Sequence, residues 1–178
     1  MPPVITREWA MPHKSTFSVG PIASFVARHT SGLSAIVDPF CGDSTVGTHR
    51  NDLKHGGMDA EAYCHALASR YGTGWADAVI FDPPYSPRQI SEVYKSVGMA
   101  VGMAETQNAS LYKRVRSALW PLLKTDGVAL SFGWNSAGFG SKRGAEVVEI
   151  LMVAHGGAHN DTICVAERKA EIVMRLPL

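Results

Sequence analysis

Runs of consecutive apolar residues recur along the chain and predict β-strands that are buried in a sheet. The apolar runs cover residues 35–37, 78–81, 128–132, 147–154 and 162–167, and a short strand is also predicted near residues 48–51. The segment between the last two runs is rich in glycine, asparagine and aspartate. These residues favour tight turns, so the end of the chain predicts an antiparallel hairpin.

Amphipathic stretches with apolar residues at helical spacing separate most of these runs. The predicted helices cover residues 20–30, 60–71, 90–97 and 110–123. Asp59 precedes the second helix and is a candidate N-cap. Residues 1–19 are predicted to be irregular, because Pro2, Pro3 and Pro12 interrupt regular structure there.

The alternation of strands and helices predicts an α/β fold with a mostly parallel sheet, helices on both faces and an antiparallel strand near the end. Residues 1–178 are predicted to form one domain, with an N-terminal segment over 1–34 and the sheet core over 35–178. Ligands in such sheets bind beyond the carboxyl ends of the strands. We therefore expect a site formed by the residues that follow the strands at 35–37 and 78–81.

The composition narrows the class of protein. Hydrophobic residues make up 46% of the chain, which is enough for a core, and the formal net charge is +1. Any contact with nucleic acid must therefore come from a local basic patch. Three cysteines without metal-site spacing indicate a reducing compartment, and neither a signal peptide nor a membrane span is expected. The resulting expectation is a cytoplasmic protein without a metal site.

A proline-rich segment, DPPYS, begins at residue 82 directly after the apolar run 78–81. Its two prolines fix their φ angles at about −65° and carry no backbone N–H. The segment is therefore stiff, and it presents the Asp82 carboxylate and backbone carbonyls as acceptors beside the flat ring of Tyr85. This combination suits a planar group that carries an NH₂, such as the exocyclic amine of a nucleobase. The alternative is an ordinary turn.

A second acidic segment, residues 38–44, follows the run at 35–37. Its glycine, Gly42, allows a ligand to approach the backbone closely. The sequence contains neither the G-x-G-x-x-G pattern nor a P-loop, which argues against a ligand with several phosphates. A zwitterionic nucleoside is compatible with this segment.

The segments 38–42 (DPFCG) and 82–85 (DPPY), in this order, resemble the S-adenosylmethionine-dependent amino-methyltransferases of DNA. Residues 11–22 (MPHKSTFSVGPI) resemble the N-terminal cofactor motif of that family, and the stretches 131–144 and 153–162 resemble small methyltransferases encoded by phages and prophages. The resemblance implies a Rossmann-like methyltransferase fold. It also implies methyl transfer from S-adenosylmethionine to the exocyclic N6 amine of adenine in DNA.

The resemblance also implies a set of cofactor-binding residues. These are Lys14, Thr16, Phe17, Asp38, Pro39, Phe40, Gly42, Asp52 and Asp59. Asp52 would hold the ribose hydroxyls, Asp59 would bind the adenine amine of the cofactor, and Lys14 would pair with its carboxylate. The alternatives are a loop acid at Asp52, a simple helix cap at Asp59 and a core ring at Phe17.

The implied catalytic residues are Asp82, Pro83, Pro84 and Tyr85. The Asp82 carboxylate and the Pro83 carbonyl would accept the two hydrogens of the target amine, so that the nitrogen lone pair faces the methyl group. A target base inside a duplex would have to flip out and stack on Tyr85. Neither a metal ion nor a covalent enzyme intermediate is needed for this reaction.

Contacts with DNA are expected from Arg88 and from Lys142 and Arg143, which lie in a loop rich in glycine and serine. Both groups are expected to flank the pocket, and the loop over 136–144 is expected to close over a substrate. The chain lacks the extra target-recognition segment of the sequence-specific family members. Selectivity would therefore be weak, or would come from loops, from a homodimer or from a partner subunit.

Three other functions stay open on the sequence alone. They are methylation of cytosine N4 in DNA, methylation of a base in RNA, and a non-catalytic subunit that binds nucleic acid. Methylation at carbon 5 of cytosine is excluded, because that reaction uses a nucleophilic cysteine in a Pro-Cys pair and the chain contains no such pair.

Overall fold

The computed structural model describes residues 2–84, 108–157 and 159–171. The strands in these ranges are β1 Val4–Trp9, β2 Ile36–Asp38, β3 His49–Arg50, β4 Ala76–Phe81, β5 Leu123–Gly133, β6 Ala145–Ala154 and β7 Thr162–Lys169. The α-helices are α1 Gly20–Thr30, α2 Ala60–Tyr71 and α3 Asn108–Leu119. Short 3₁₀ helices cover Thr16–Ser18, Leu53–His55, Trp120–Leu122 and Ser141–Arg143. Tyr85, Arg88 and the helix predicted at 90–97 lie outside the described ranges.

The strands form one sheet in the order β1-β6-β7-β5-β4-β2-β3. Every neighbouring pair is parallel except the two that involve β7, which is antiparallel to both β5 and β6. The predicted α/β fold, the mostly parallel sheet and the hairpin near the end are confirmed, and the fold is compatible with a Rossmann-like architecture. All strands except β7 therefore end at the same edge of the sheet, which we call the carboxyl edge. The opposite edge is the amino edge.

Helices cover both faces of the sheet, as the alternation of elements predicts. On one face, Phe25 of α1 packs with Ile80 and Leu130 of the strands. On the other face, α2 and α3 pack against Val79 and Phe81. Successive residues of a strand point to opposite faces, so β4 contributes to both cores. Within the described ranges, no helix combines the length and the apolar character that crossing a bilayer requires.

The structure corrects the prediction for residues 1–19. The segment Val4–Trp9 forms β1, which pairs in parallel with β6 along its whole length. All residues of β1 are exposed, so no buried apolar run reveals this strand in the sequence. Pro2, Pro3 and Pro12 lie outside the strand, where a missing backbone N–H costs no ladder hydrogen bond.

The helix predicted over 110–123 is also corrected. It ends as α3 at Leu119, and a short 3₁₀ helix separates it from β5, which begins at Leu123. Pro121 has no backbone N–H to donate and its ring clashes with the preceding turn, so the α-helix cannot continue through it. The apolar residues after Pro121 belong to the sheet rather than to the helix.

Asp126 and Gly127 lie at an irregularity inside β5. The register of β5 against β4 shifts between Ala76 and Ala78. Asp126 has a left-handed φ of 60° at this point. An irregularity of this kind bends a strand without ending it, so β5 continues through Asp126 and Gly127 as one long strand.

Candidate functional site

Three aspartates meet where β2, β3 and β4 end at the carboxyl edge. Asp38 is the last residue of β2, Asp52 follows β3 closely, and Asp82 follows β4 directly. Asp52 and Asp82 are both close enough to influence the charge state of Asp38. The sequence predicted all three as site residues, and the parallel register brings them together. Within the described ranges, no group of three or more His, Cys, Asp or Glu side chains is arranged to hold a metal ion.

Asp38 is completely buried. Its Oδ1 accepts a hydrogen bond from the Phe40 N–H at 3.2 Å, whereas its Oδ2 has no partner among the described residues. Burial raises the pKa of Asp38 to about 7; the Phe40 N–H and Arg50 oppose this rise, and the nearby charges of Asp82 and Asp52 add to it. The site therefore favours an added positive charge or hydrogen-bond donor.

Asp52 braces the turn that follows β2. Its Oδ2 accepts a hydrogen bond from the Gly42 N–H at 3.1 Å, and its Oδ1 accepts one from the Lys54 N–H at 2.8 Å. Gly42 has a φ of 50°, a conformation that glycine adopts without a Cβ penalty. Both predicted residues thus lie in the site and fix the shape of its turn, while the ribose contact of Asp52 stays a prediction.

Asn51 is a buried site residue that the sequence analysis did not single out. Its Nδ2 donates to the carbonyls of Met58 and Pro39 at 2.9 and 3.3 Å, and its Oδ1 accepts from the Met58 N–H at 3.0 Å. The next predicted acid, Asp59, caps α2, because its Oδ1 accepts two backbone N–H groups of the first turn at 2.9 and 3.2 Å. The cap is therefore shown, and the contact of Asp59 with the cofactor's adenine stays a prediction.

The proline corner at residues 82–84 is held by a tyrosine of α3. The Tyr112 hydroxyl donates to the Pro84 carbonyl at 2.5 Å, and its ring meets the Phe81 ring edge-on with 5.6 Å between centroids. Burial raises the pKa of Tyr112 to about 12, and the nearby Asp82 adds to the rise. The phenol therefore stays a donor at neutral pH and fixes one carbonyl of the corner.

Residues 10–18 leave β1 at the carboxyl edge and are fixed there. The Ala10 N–H donates to the Ala154 carbonyl at 3.1 Å, and the Ala10 carbonyl lies 2.9 Å from His155 Nδ1. The other ring nitrogen of His155 lies 2.8 Å from the Thr162 hydroxyl. His155 thus joins the N-terminal segment to both strands of the hairpin.

The same segment carries the predicted N-terminal cofactor residues along the carboxyl edge. Phe17 packs against Phe132 near the end of β5, with 5.0 Å between ring centroids. Thr16 begins a short 3₁₀ helix, and Lys14 is exposed. Phe17 therefore packs partly buried against the core, and the cofactor contacts of Lys14, Thr16 and Phe17 stay predictions.

Lys142 and Arg143 do not lie beside the aspartates. The residue that follows them, Gly144, accepts a hydrogen bond from the Ala170 N–H at 2.9 Å, next to the end of β7 at the amino edge. The expectation that they flank the pocket is wrong, because β6 runs parallel to β5 and the connection must return to the amino edge. A contact between this loop and nucleic acid stays a prediction.

The loop between β5 and β6 is anchored to the sheet instead of being free to close. Glu167 of β7 is 1% exposed, and its carboxylate accepts hydrogen bonds from the N–H groups of Phe139 and Gly140 at 2.6 and 3.0 Å. Arg116 of α3 donates to the Gly138 carbonyl. These contacts fix residues 138–140 in place.

Comparison with known protein families found none that matches this chain. A search among curated proteins found no match either. The function is therefore argued from the site itself.

Proposed function

We propose that the protein transfers a methyl group from S-adenosylmethionine to the exocyclic N6 amine of adenine in DNA. One observation carries this proposal: a buried acid with an unpartnered oxygen and a proline-stiffened acidic corner converge at the carboxyl edge. Asp38 provides the first feature and Asp82 the second. The resemblance of both segments to amino-methyltransferases adds the class of reaction.

The charge of the site suits this cofactor. S-adenosylmethionine carries a positive sulfur and an ammonium group, and Asp38 Oδ2 is a buried acceptor without a partner among the described residues. Asp52 and Asp82 add negative potential around it, and Lys14 is available for the cofactor's carboxylate. When bound, the cofactor supplies a methyl group that the positive charge on sulfur activates for transfer.

The corner at 82–84 acts on the substrate amine in this proposal. The Asp82 carboxylate and the Pro83 carbonyl would accept its two hydrogens, which would leave the nitrogen lone pair facing the methyl carbon. As the new N–C bond formed, the bond from that carbon to sulfur would break and its electron pair would stay on sulfur. The surplus proton of the methylated nitrogen then leaves through the Asp82 carboxylate. Tyr112 binds the next carbonyl, that of Pro84, and so orients the corner without competing for the amine.

The test compares the wild-type protein with Asp82→Asn and with a matched control, Asp43→Asn. Asp43 is an acid near the same edge whose side chain is 75% exposed. Calorimetry measures binding of S-adenosylmethionine, and a labelled methyl group reports transfer to unmethylated DNA or RNA. We expect Asp82→Asn to lose on the order of 10²–10³ in rate, as loss of a positioned electrostatic group does, while its affinity for the cofactor falls much less. The control should match the wild type.

Mass analysis of the product nucleosides identifies the modified atom. N6-methyladenine from DNA is the expected product, whereas N4-methylcytosine or a product found only in RNA would replace the proposed substrate. Nucleic-acid binding without cofactor binding would indicate a non-catalytic subunit. Full transfer by Asp82→Asn would refute the role assigned to that carboxylate.

A further inference from the structure

Trp134 is an exposed indole directly beside the proposed reaction site. It follows Gly133, the last residue of β5, and is 50% exposed. Tryptophan buries a large area when it packs and provides a wide flat face for stacking. An indole that is half-exposed next to an acceptor corner therefore offers a surface that a flat ligand could cover.

The place of Trp134 follows from the register of the sheet. Phe81, the last residue of β4, pairs with Ser131 of β5. Residues 82–84 follow Phe81, and residues 132–134 follow Ser131. Pro84 and Trp134 are therefore each three positions beyond this pair. Paired strands are about 4.8 Å apart. The two segments therefore leave the carboxyl edge side by side.

The turn that presents Trp134 is fixed on its far side. The Asn135 side chain accepts a hydrogen bond from the Ala137 N–H at 3.0 Å. A few residues later, Glu167 holds the backbone at Phe139. An aromatic group on a preorganised turn loses little conformational freedom when a ligand stacks on it.

Other large apolar side chains are exposed in the described ranges, and of these Met11 and Met58 also lie at the carboxyl edge but offer no flat aromatic face. The side chains in this group are Val4, Ile5, Trp9, Met11, Met58 and Tyr71. Trp9 is the closest chemical match, with 65% exposure, but it ends β1, which is separated from β5 by β6 and β7. At about 4.8 Å per strand, that places β1 roughly 14 Å from β5. Trp134 therefore combines an exposed indole with a place beside the acceptor corner.

We propose that Trp134 is the platform on which a nucleobase of the DNA substrate stacks, beside the acceptors of the corner at 82–84. The inference rests on the proposed function and adds a substrate-binding residue to it. A stacked purine has its face against the indole, so its amine projects sideways from the ring edge. The corner on the neighbouring strand is on that side, where Asp82 can accept the amine hydrogens.

The experiment uses a short oligodeoxyadenylate as the probe and the fluorescence of the protein's own tryptophans as the readout. Trp134→Ala should weaken binding of the probe about 5- to 150-fold, the range for loss of one stacked base, and should abolish the quenching that the probe causes. Trp134→Phe should keep part of the affinity. The matched control, Trp9→Ala, removes an indole that is more exposed than Trp134 and should leave both affinity and quenching as in the wild type.

Unchanged binding and quenching in Trp134→Ala would overturn the inference, and so would an equal loss in Trp9→Ala, which would indicate a general apolar surface. Calorimetry with S-adenosylmethionine checks that each variant keeps a folded cofactor site. Failure of the proposed function gives a different result, because the wild-type protein would then transfer no methyl group. Transfer by the wild type with unchanged kcat and KM in Trp134→Ala would sink the inference alone.

Discussion

At the scale of the residue, the decisive feature is the burial of Asp38. A carboxyl group in water has a pKa of about 4, whereas burial and then the neighbouring acids raise the pKa of Asp38 to about 7. Without a cation, this side chain is therefore partly protonated at neutral pH. A proton and a positively charged ligand compete for the same carboxylate, which gives the site a built-in pH dependence.

The prediction at Asp38 concerns the affinity for S-adenosylmethionine. As pH rises through about 7, Asp38 loses its proton and becomes the better partner for a cation, so affinity should increase roughly tenfold between pH 6 and pH 8. Asp38→Asn should bind the cofactor more weakly and show a smaller dependence on pH. Calorimetry over this pH range measures both effects. Identical pH profiles for the variant and the wild type would contradict the role of Asp38.

The same pKa has a consequence for stability. In the unfolded chain Asp38 regains a pKa of about 4, so between pH 4 and 7 the folded protein binds more protons at this position than the unfolded protein does. Its contribution to the free energy of unfolding therefore decreases as pH rises through that window. The chain retains an unfavourable acid at a strand end, which is typical of a functional site rather than of a structural core.

At the scale of the element, α3 positions the acidic corner that follows β4. Tyr112 reaches the Pro84 carbonyl from the helix, and Arg116, one turn later, reaches the Gly138 carbonyl of the loop after β5. One face of α3 thus holds both backbone segments that leave the sheet at β4 and β5. The geometry of the proposed substrate site depends on this helix as much as on the motif itself.

Tyr112→Phe tests that dependence by removing a hydroxyl while keeping the ring. We expect kcat for methyl transfer to fall about 2- to 10-fold, the value of one hydrogen bond, with an unchanged dissociation constant for S-adenosylmethionine. Steady-state kinetics and calorimetry separate the two quantities. Tyr71→Phe is the control, since that tyrosine lies at the far end of α2. An unaltered kcat in Tyr112→Phe would show that the hydroxyl does not orient the corner.

The sequence predicts best the elements whose first residues carry a recognisable start signal, such as a proline or an N-cap residue. The bounds predicted for α1 and α2 match the structure, because Pro21 and Asp59 mark where these helices begin. The exposed strand β1 carries no burial pattern and escapes prediction. The path of the loop at 134–144 depends on β7 lying between β5 and β6, which no local pattern reveals.

Within the site, too, residues marked by the local sequence are predictable and residues placed by contacts of the fold are not. Asp38, Asp52 and Asp82 are predictable because each follows an apolar run or lies in a recognisable segment. Asn51 and Tyr112 are not, because their roles arise from contacts made by the fold. Tyr112 is 28 positions away from the carbonyl it binds, so only the packing of α3 on the sheet assigns it to the corner.

At the scale of the whole molecule, the two edges of the sheet differ in what their polar groups do. At the amino edge, Asp77 accepts hydrogen bonds from the Ser34 and Ala35 N–H groups at 3.0 and 2.9 Å and from the Lys124 ammonium. The carboxyl edge instead holds a buried acceptor without a partner among the described residues. An acid with several partners at the amino edge and an acid with an unpartnered oxygen at the carboxyl edge fit a ligand site at the carboxyl edge.

The stability prediction follows from Asp77. The Lys124 ammonium, together with the two backbone N–H groups, lowers the pKa of Asp77 to about 2. The unfolded chain, with a pKa of about 4, binds more protons in this window, so the stabilisation is present above pH 4 and is lost as pH falls towards 2. Asp77→Asn should therefore lower the free energy of unfolding at pH 7 by about 1–2 kcal/mol, allowing for screening at the half-exposed Lys124.

Urea unfolding at pH 7 and pH 3 measures this difference, which should be smaller at pH 3. The exposed Asp43 supplies the comparison, because Asp43→Asn should leave the urea midpoint unchanged at both pH values. A loss of stability in Asp77→Asn that did not shrink on acidification would contradict the assigned ionic contribution. Methyl transfer at pH 7 should be unaffected, since Asp77 lies at the amino edge.

The direction of β1 has a practical consequence. Val4 faces Glu149, five residues before Ala154 at the end of β6, so the start of β1 lies roughly 17 Å below the edge where the aspartates meet. A fluorophore or an immobilisation handle joined ahead of Val4 would face away from the proposed substrate site. Attaching the protein to a sensor by that end should therefore leave the carboxyl edge, where the proposed substrate site lies, open to solution.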